Sequence, residues 1–170
     1  DPRSDTPGLG LVLWIKAAYG DRAPEIWAGL KPHIVTMARG WSDAYGLFLK
    51  GEADMVLSYT TSPAYHAVAE SDTNYGYAAF TEGFYPQTEI AGILKSSPYQ
   101  DLARQFLSWL ATPEAQAVIP TTNWMYPVAA VGDALPAAFP PLPAKVLSLG
   151  ETTITANKSA WIEEALAAIR

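Results

Sequence analysis

The chain has 170 residues, with 11 Lys or Arg against 17 Asp or Glu, and a formal net charge of −6 at pH 7. At 49% hydrophobic and 12% aromatic residues it can build a core, which excludes a wholly disordered chain. The acidic balance lacks the basic footprint of a nucleic-acid-binding protein. The absence of cysteine excludes disulfides, zinc–thiolate clusters and a thiol nucleophile within this stretch.

Helical spacing of apolar residues marks both ends of the chain. Asp5 or Thr6 can cap a first helix that Gly20 ends, and a short helix follows Pro24. A last amphipathic helix carries Trp161. Tryptophans on these apolar faces and on a helix after residue 97 are predicted to lie in the core: Trp14, Trp27, Trp109 and Trp161.

Apolar and β-branched runs between the helices predict strands. They cover residues 33–37, 53–59, 77–80 and 84–93, with the second expected to be a buried parallel strand. Strands that alternate with helices predict an α/β fold.

The middle and end of the chain contain further helix signals. Ser42 can cap a helix that ends at Gly51, and Ser97 to Gln100 resembles a capping box with Pro98 in the first turn. Four prolines between residues 136 and 143 predict an extended linker. We therefore expect a main part of a lobe over residues 1–95, a helical segment over 96–128, and a linker with a final helix over 129–170.

Aromatic residues in polar loops are the first candidates for ligand contacts. Trp41 precedes a helix start, Tyr59 ends a predicted strand, Tyr65 follows the next turn, and Trp124 lies in a later loop. Ligands of open α/β sheets collect at such places, and rings there attract cations. The alternative is that these aromatics are core residues or loop anchors.

Hydroxyl side chains beside two helix starts are the second group of candidates. Thr6 precedes the first helix, and Thr60, Thr61 and Ser62 precede another. Helix N-termini attract anions, so these hydroxyls suit a phosphate, but capping alone explains Ser and Thr equally well. The sequence contains no complete phosphate-binding or hydrolase motif, and we interpret His66 as an ordinary helix residue.

The chain contains several distinctive contiguous strings, at 1–3 (DPR), 6–11 (TPGLGL), 40–42 (GWS), 44–52 (AYGLFLKGE), 56–66 (VLSYTTSPAYH), 119–121 (IPT) and 123–128 (NWMYPV). These strings closely resemble the periplasmic thiamine-binding proteins of bacterial thiamine ABC transporters. The resemblance is dense to about residue 128 and weak through the proline-rich stretch.

The resemblance implies one lobe of a type II periplasmic solute-binding fold, plus a C-terminal helical tail that belongs with a lobe outside this sequence. It implies a periplasmic substrate-binding component of an ABC importer, with thiamine as ligand, a membrane permease as partner and no cofactor. A signal peptide is expected upstream. The implied ligand contacts are Asp5, Thr6, Trp41, Tyr59, Thr60, Thr61 and Ser62, with Tyr65 and Trp124 added.

Asp5 departs from the family pattern, which has Ser at this position. A carboxylate at this position favours a cation and repels a phosphate, so the resemblance supports thiamine more strongly than its mono- or diphosphate. The alternatives are an enzyme similar to thiaminase on the same scaffold, and a binding protein for iron or a polyamine.

Overall fold

The computed structural model describes residues 1–170 and contains eight α-helices joined by turns and extended segments. The helices are α1 (Thr6–Tyr19), α2 (Ala23–Leu30), α3 (Trp41–Leu49), α4 (Ser62–Ala69), α5 (Gln100–Leu110), α6 (Pro113–Gln116), α7 (Ile119–Thr122) and α8 (Glu151–Ile169). Short 3₁₀ turns cover Gly20–Arg22, Lys31–His33 and Gly132–Ala134. None of the helices combines the length and apolar character that crossing a membrane requires.

The predicted strands do not form a hydrogen-bonded sheet, so this part of the α/β prediction is wrong. Residues 33–37, 53–59, 77–80 and 84–93 contain no strand, and the β-pairing present is one parallel bridge between Phe84 and Val146. Val35 and Met55 are 66% and 71% exposed. The sequence pattern indicates that a segment can be extended, but a strand also needs a pairing partner, which these segments lack here apart from Phe84.

The chain divides into two compact units. Unit 1 comprises Asp1–Ser58, Ala79–Gln87 and Pro143–Arg170, and unit 2 comprises Tyr59–Ala78 and Thr88–Leu142. The chain therefore passes between the two units four times, at 58/59, 78/79, 87/88 and 142/143.

The core of unit 1 lies where α1, α2 and α8 pack together. Val12, Ile15, Ala23, Trp27 and Ala165 are buried there. Trp14 and Trp161 pack against this cluster, which confirms three of the four predicted core tryptophans. Burying a side chain as large as Val12 or Ile15 contributes about 1.5–3 kcal/mol, so this cluster stabilises α1, which carries Thr6.

Helix α1 begins and ends as the sequence predicts. Asp5 is its N-cap and accepts a hydrogen bond from the Gly8 N–H, Pro7 lies in the first turn, and Gly20 follows the last residue with a φ of 56°. The Gly8 position is crowded, because a Cβ there would lie 2.8 Å from backbone atoms of Asp1 and Pro2. The first residues of the chain therefore pack directly on this turn of α1.

Two other helix starts differ from the prediction. Helix α3 begins at Trp41 rather than after Ser42, because the Asp5 carboxylate accepts from the Trp41 N–H. Helix α5 begins at Gln100, and its N-cap Tyr99 makes no side-chain capping bond. Ser97 instead accepts from the Tyr99 N–H within the preceding turn.

The apolar face of α5 in unit 2 is exposed, which corrects the prediction that Trp109 is a core residue. Leu102, Phe106 and Trp109 are 65%, 54% and 49% exposed. The helix has the expected amphipathic pattern, but no element of this unit buries its apolar side. Periodicity predicts which residues share a face and not what covers that face.

Candidate functional site

One carboxylate links the starts of two helices in unit 1. Asp5 Oδ2 accepts from the Gly8 N–H at 3.4 Å, and Asp5 Oδ1 accepts from the Trp41 N–H at 3.2 Å. The first N–H belongs to the opening turn of α1 and the second to the first residue of α3. Each helix N-terminus carries a partial positive charge, so one negative side chain stabilises both.

The side chain of Trp41 is held at several points. Its Nε1 donates to Ser58 Oγ at 2.9 Å, and its ring lies 4.8 Å from the Tyr45 ring at an interplanar angle of 31°. Tyr45 is buried and contacts Phe48 edge-on at 5.7 Å between centroids. The half-buried indole is therefore held at its backbone, at its N–H and by its ring contact with Tyr45, and a ring held in this way suits a flat or cationic ligand.

Thr6 lies on the exposed side of the same helix start. Asp5 and Thr6 line an open cavity of about 260 Å³, together with Arg3 and Lys158. The Arg3 guanidinium pairs with the Asp1 carboxylate. The cavity therefore contains both signs of charge beside a helix N-terminus.

The candidate hydroxyl residues of unit 2, Thr60, Thr61 and Ser62, lie with Tyr59 in one turn. Ser62 N–H donates to the Tyr59 carbonyl at 3.0 Å, and Ser62 Oγ accepts from the Tyr59 N–H at 3.4 Å. Thr61 is buried and is the N-cap of α4, yet its side chain makes no capping bond. Thr60 is half-buried. Simple capping therefore does not account for Thr61.

Tyr65 and Trp124 come together in unit 2, which the sequence alone could not establish. Their ring centroids lie 5.2 Å apart at an angle of 85°. Trp124 has a φ of 55°, a left-handed conformation that is unusual for a bulky residue. Such strain is common at functional sites. Here it accompanies the edge-to-face contact between the two rings.

The loop after Trp124 is anchored on both sides. The Tyr126 hydroxyl donates to the Pro140 carbonyl. Burial raises the pKa of Tyr126, and the nearby Tyr77 raises it by a smaller amount. The Val128 N–H donates to the side-chain oxygen of buried Gln116 at 2.8 Å. These contacts fix the segment that follows the strained residue.

A pair between buried His66 and exposed Glu70, next to Tyr65, was missed in the sequence. His66 is fully buried, its Nδ1 lies 2.6 Å from Glu70 Oε2, and its ring stacks on Tyr75 with centroids 3.6 Å apart. The Glu70 carboxylate also raises the pKa of Tyr65, chiefly through a side-chain hydrogen bond. The spacing of four residues on a predicted helix is the signal that could have revealed the His66–Glu70 pair.

The structure thus gathers the nine candidate residues into groups within each unit. Unit 1 contains Asp5, Thr6 and Trp41, and unit 2 contains the turn of residues 59–62 and the Tyr65–Trp124 pair. No group of three or more His, Asp or Glu side chains is placed to hold a metal ion.

The chain belongs to the bacterial extracellular solute-binding protein family, whose sequence pattern matches residues 12–117. A solved structure described as a periplasmic thiamin binding protein matches 100% of this chain and 54% of that chain, with a TM-score of 0.93 and 50% identity. The solute-binding fold expected from the resemblance is therefore confirmed, even though the extended segments form no ladder.

Proteins with similar sequences are also named thiamine-binding periplasmic proteins. The chain is 52% identical to the thiamine-binding periplasmic protein of Salmonella typhimurium over 166 residues, which covers 96% of this chain and 50% of that protein. It is 48% identical to the thiamine-binding periplasmic protein of Brucella melitensis over 170 residues, which covers 99% of this chain and 51% of that protein. The chain spans about half the length of these relatives.

Proposed function

We propose that this chain is part of a periplasmic thiamine receptor, the substrate-binding component of an ABC importer that delivers thiamine to a membrane permease. The observation that carries the proposal is the 52% identity over 166 residues to a protein named as a thiamine-binding periplasmic protein. We further propose that the chain supplies one lobe of a type II receptor.

The chemistry of the candidate residues supports thiamine as the ligand. Thiamine has a permanently cationic thiazolium and a flat aminopyrimidine, which suit the faces of Trp41, Tyr65 and Trp124. The turn over residues 59–62 offers hydroxyls for polar contacts. Thr6 and Asp5 line a cavity at a helix start, where a hydroxyl or a phosphate ester of the ligand is the natural occupant.

The alternatives have less support. The relatives are named as binding proteins, so a thiaminase-like enzyme is not favoured. Their names specify thiamine rather than iron or a polyamine. We therefore propose a non-enzymatic receptor that binds thiamine without a cofactor.

Trp41 provides the direct test. In the complete protein, Trp41→Ala should weaken thiamine binding by about 1–3 kcal/mol, because it removes ring contact and cation–π attraction. Calorimetric titration measures the change. Trp109→Ala is the matched control, since it removes a half-exposed indole outside the candidate groups.

Two results would contradict this proposal. A complete wild-type protein that does not bind thiamine would refute the receptor function. Equal losses for Trp41→Ala and Trp109→Ala would show that Trp41 has no special role in binding.

A further inference from the structure

We propose that Ser58 is a positioning residue for Trp41, because its hydroxyl accepts the single N–H of the indole and thereby sets the orientation of the ring. This role rests on the proposed function, since Trp41 is a candidate contact for thiamine. The proposal adds a residue that does not itself belong to the candidate ligand contacts.

The first argument is the hydrogen bond between the two side chains. Trp41 Nε1 donates to Ser58 Oγ at 2.9 Å, which is the commonest length for an N–H···O bond. Both residues are half-buried. A donor that is partly shielded from water loses free energy when it has no partner, so the indole keeps the orientation that directs Nε1 at Ser58.

The second argument is what the other contacts of Trp41 leave undetermined. Asp5 Oδ1 accepts from the Trp41 backbone N–H at 3.2 Å, but a backbone bond does not set the side-chain torsions. The ring of buried Tyr45 lies 4.8 Å from the indole at an interplanar angle of 31°. Such a contact still permits the indole to turn in its own plane, and a hydrogen bond at the edge of the ring restricts that motion.

The place of Ser58 in the chain gives its hydroxyl no capping role. Ser58 lies 17 residues after Trp41, in the segment between α3 and α4. The N-cap of α4 is Thr61, three residues further on. The bond to the indole is therefore a long-range contact that brings this segment against the start of α3.

The physical consequence is recognition of the ligand by the ring rather than by its N–H. An indole has one N–H and no acceptor, and this N–H is used by Ser58. Trp41 therefore contacts a ligand through its carbon ring, where flat and cationic groups bind. Without the Ser58 hydroxyl the ring has to be ordered when the ligand binds, which lowers the affinity.

The experiment compares Ser58→Ala with Ser97→Ala, which removes a serine hydroxyl that accepts from the Tyr99 N–H at 3.2 Å outside the candidate groups. In the complete protein, Ser58→Ala should weaken thiamine binding about two- to tenfold in calorimetric titration, and Ser97→Ala should leave it unchanged. Ser58→Thr keeps a hydroxyl at the same position and should restore most of the affinity. Unchanged affinity in Ser58→Ala, or a loss in Ser58→Thr as large as in Ser58→Ala, would overturn the proposal.

The indole N–H of Trp41 reports the hydrogen bond directly. Nuclear magnetic resonance of ¹⁵N-labelled tryptophan side chains, assigned with Trp41→Phe, should show that Ser58→Ala shifts the Trp41 Nε1–H resonance and speeds its exchange with solvent. Ser97→Ala should leave this resonance in place. A general loss of stability would not single out one indole.

A double-mutant cycle separates positioning from direct contact with the ligand. Trp41→Phe keeps an aromatic ring but has no N–H to donate. If Ser58 acts through the indole, Ser58→Ala should add little to the loss already caused by Trp41→Phe. A loss that is as large in the Trp41→Phe background as in the wild type would show that Ser58 acts independently of Trp41 and would overturn the proposal.

The two proposals can fail separately. If the complete wild-type protein does not bind thiamine, the receptor function is wrong, while the Trp41 Nε1–H resonance still reports whether Ser58 positions the indole. A resonance that keeps both its shift and its exchange rate in Ser58→Ala would overturn the positioning role whatever the ligand is.

Discussion

Replacing Asp5 by Ser should destabilise the chain, even though Ser is also a good helix cap. The Asp5 carboxylate uses both oxygens, one toward the Gly8 N–H and one toward the Trp41 N–H. A serine has one short hydroxyl and can cap α1 alone, so α3 loses its partner. Losing one cap costs about 0.5–2 kcal/mol, and losing the charge at two helix starts costs about 0.3–1 kcal/mol each.

The lengths of the two Asp5 hydrogen bonds narrow the expected loss in the free energy of unfolding. Both bonds are at the long end of the hydrogen-bond range, at 3.4 and 3.2 Å. We therefore expect Asp5→Ser to lower the free energy of unfolding by about 1 kcal/mol and Asp5→Ala by about 2 kcal/mol. Urea unfolding followed by circular dichroism measures both values.

Salt dependence and a matched cap distinguish this explanation from a general loss of packing. The charge–dipole part of the loss should shrink as salt increases. Thr112→Ala removes a neutral cap from α6, where Thr112 Oγ1 accepts from the Ala115 N–H at 3.3 Å, and its cost should not depend on salt. If Asp5→Ser is as stable as the wild type, the bond to Trp41 contributes nothing and the reasoning fails.

The same variant tests ligand selectivity. Like-charge repulsion between Asp5 and a phosphate a few ångströms away should cost about 1–4 kcal/mol. Asp5→Ser should therefore tighten binding of thiamine monophosphate relative to thiamine, while the fold becomes less stable. A ratio of the two affinities that does not move would show that Asp5 serves the helices and not the choice of ligand.

Two further predictions concern unit 1. The buried Trp27 Nε1 has no hydrogen-bond partner, whereas Trp14 Nε1 donates to the Gly83 carbonyl at 2.8 Å. Trp27→Phe should therefore lower the free energy of unfolding by at least about 1 kcal/mol less than Trp14→Phe, as measured by urea unfolding. The reverse order would contradict this prediction. The hydrogen bond from Tyr19 holds the pKa of Glu82 below its ordinary value of 4.5, so its stabilising contribution is present above pH 4.5 and is lost as the pH falls through the folded pKa. Tyr19→Phe should raise the Glu82 pKa measured by carboxyl resonances, and an unchanged titration would rule out this coupling.

The sequence predicted best what depends on local chemistry. The first helix begins after Asp5 and ends at Gly20 as expected, because a capping side chain, an early proline and a glycine act within a few residues. The core positions of Trp14, Trp27 and Trp161 followed from helical spacing. The bounds of the helix are determined by neighbours along the chain, and spacing places each tryptophan on the apolar face of its helix.

Features that depend on distant partners could not be predicted. Helix α3 starts at Trp41 because Asp5, far away in the sequence, supplies the cap. The contact between Tyr65 and Trp124 brings together two segments with a left-handed residue in one of them. The expected strands needed pairing partners, and the exposure of α5 depends on what packs against it.

The crowding at Gly8 sets a limit on how this region of the chain can evolve. A Cβ at position 8 would meet backbone atoms of Asp1 and Pro2 at 2.8 Å, whereas a Cβ at position 10 would meet nothing within 4 Å. Backbone cannot give way as a side-chain tip can, so every substitution at Gly8 must displace the segment that leads to Asp5. In a library of all single substitutions, position 8 should therefore be intolerant and position 10 permissive, although both are glycines on the same helix. Substitutions at position 5 that change ligand preference therefore require Gly8 to be retained, because Gly8 keeps the segment before α1 in place.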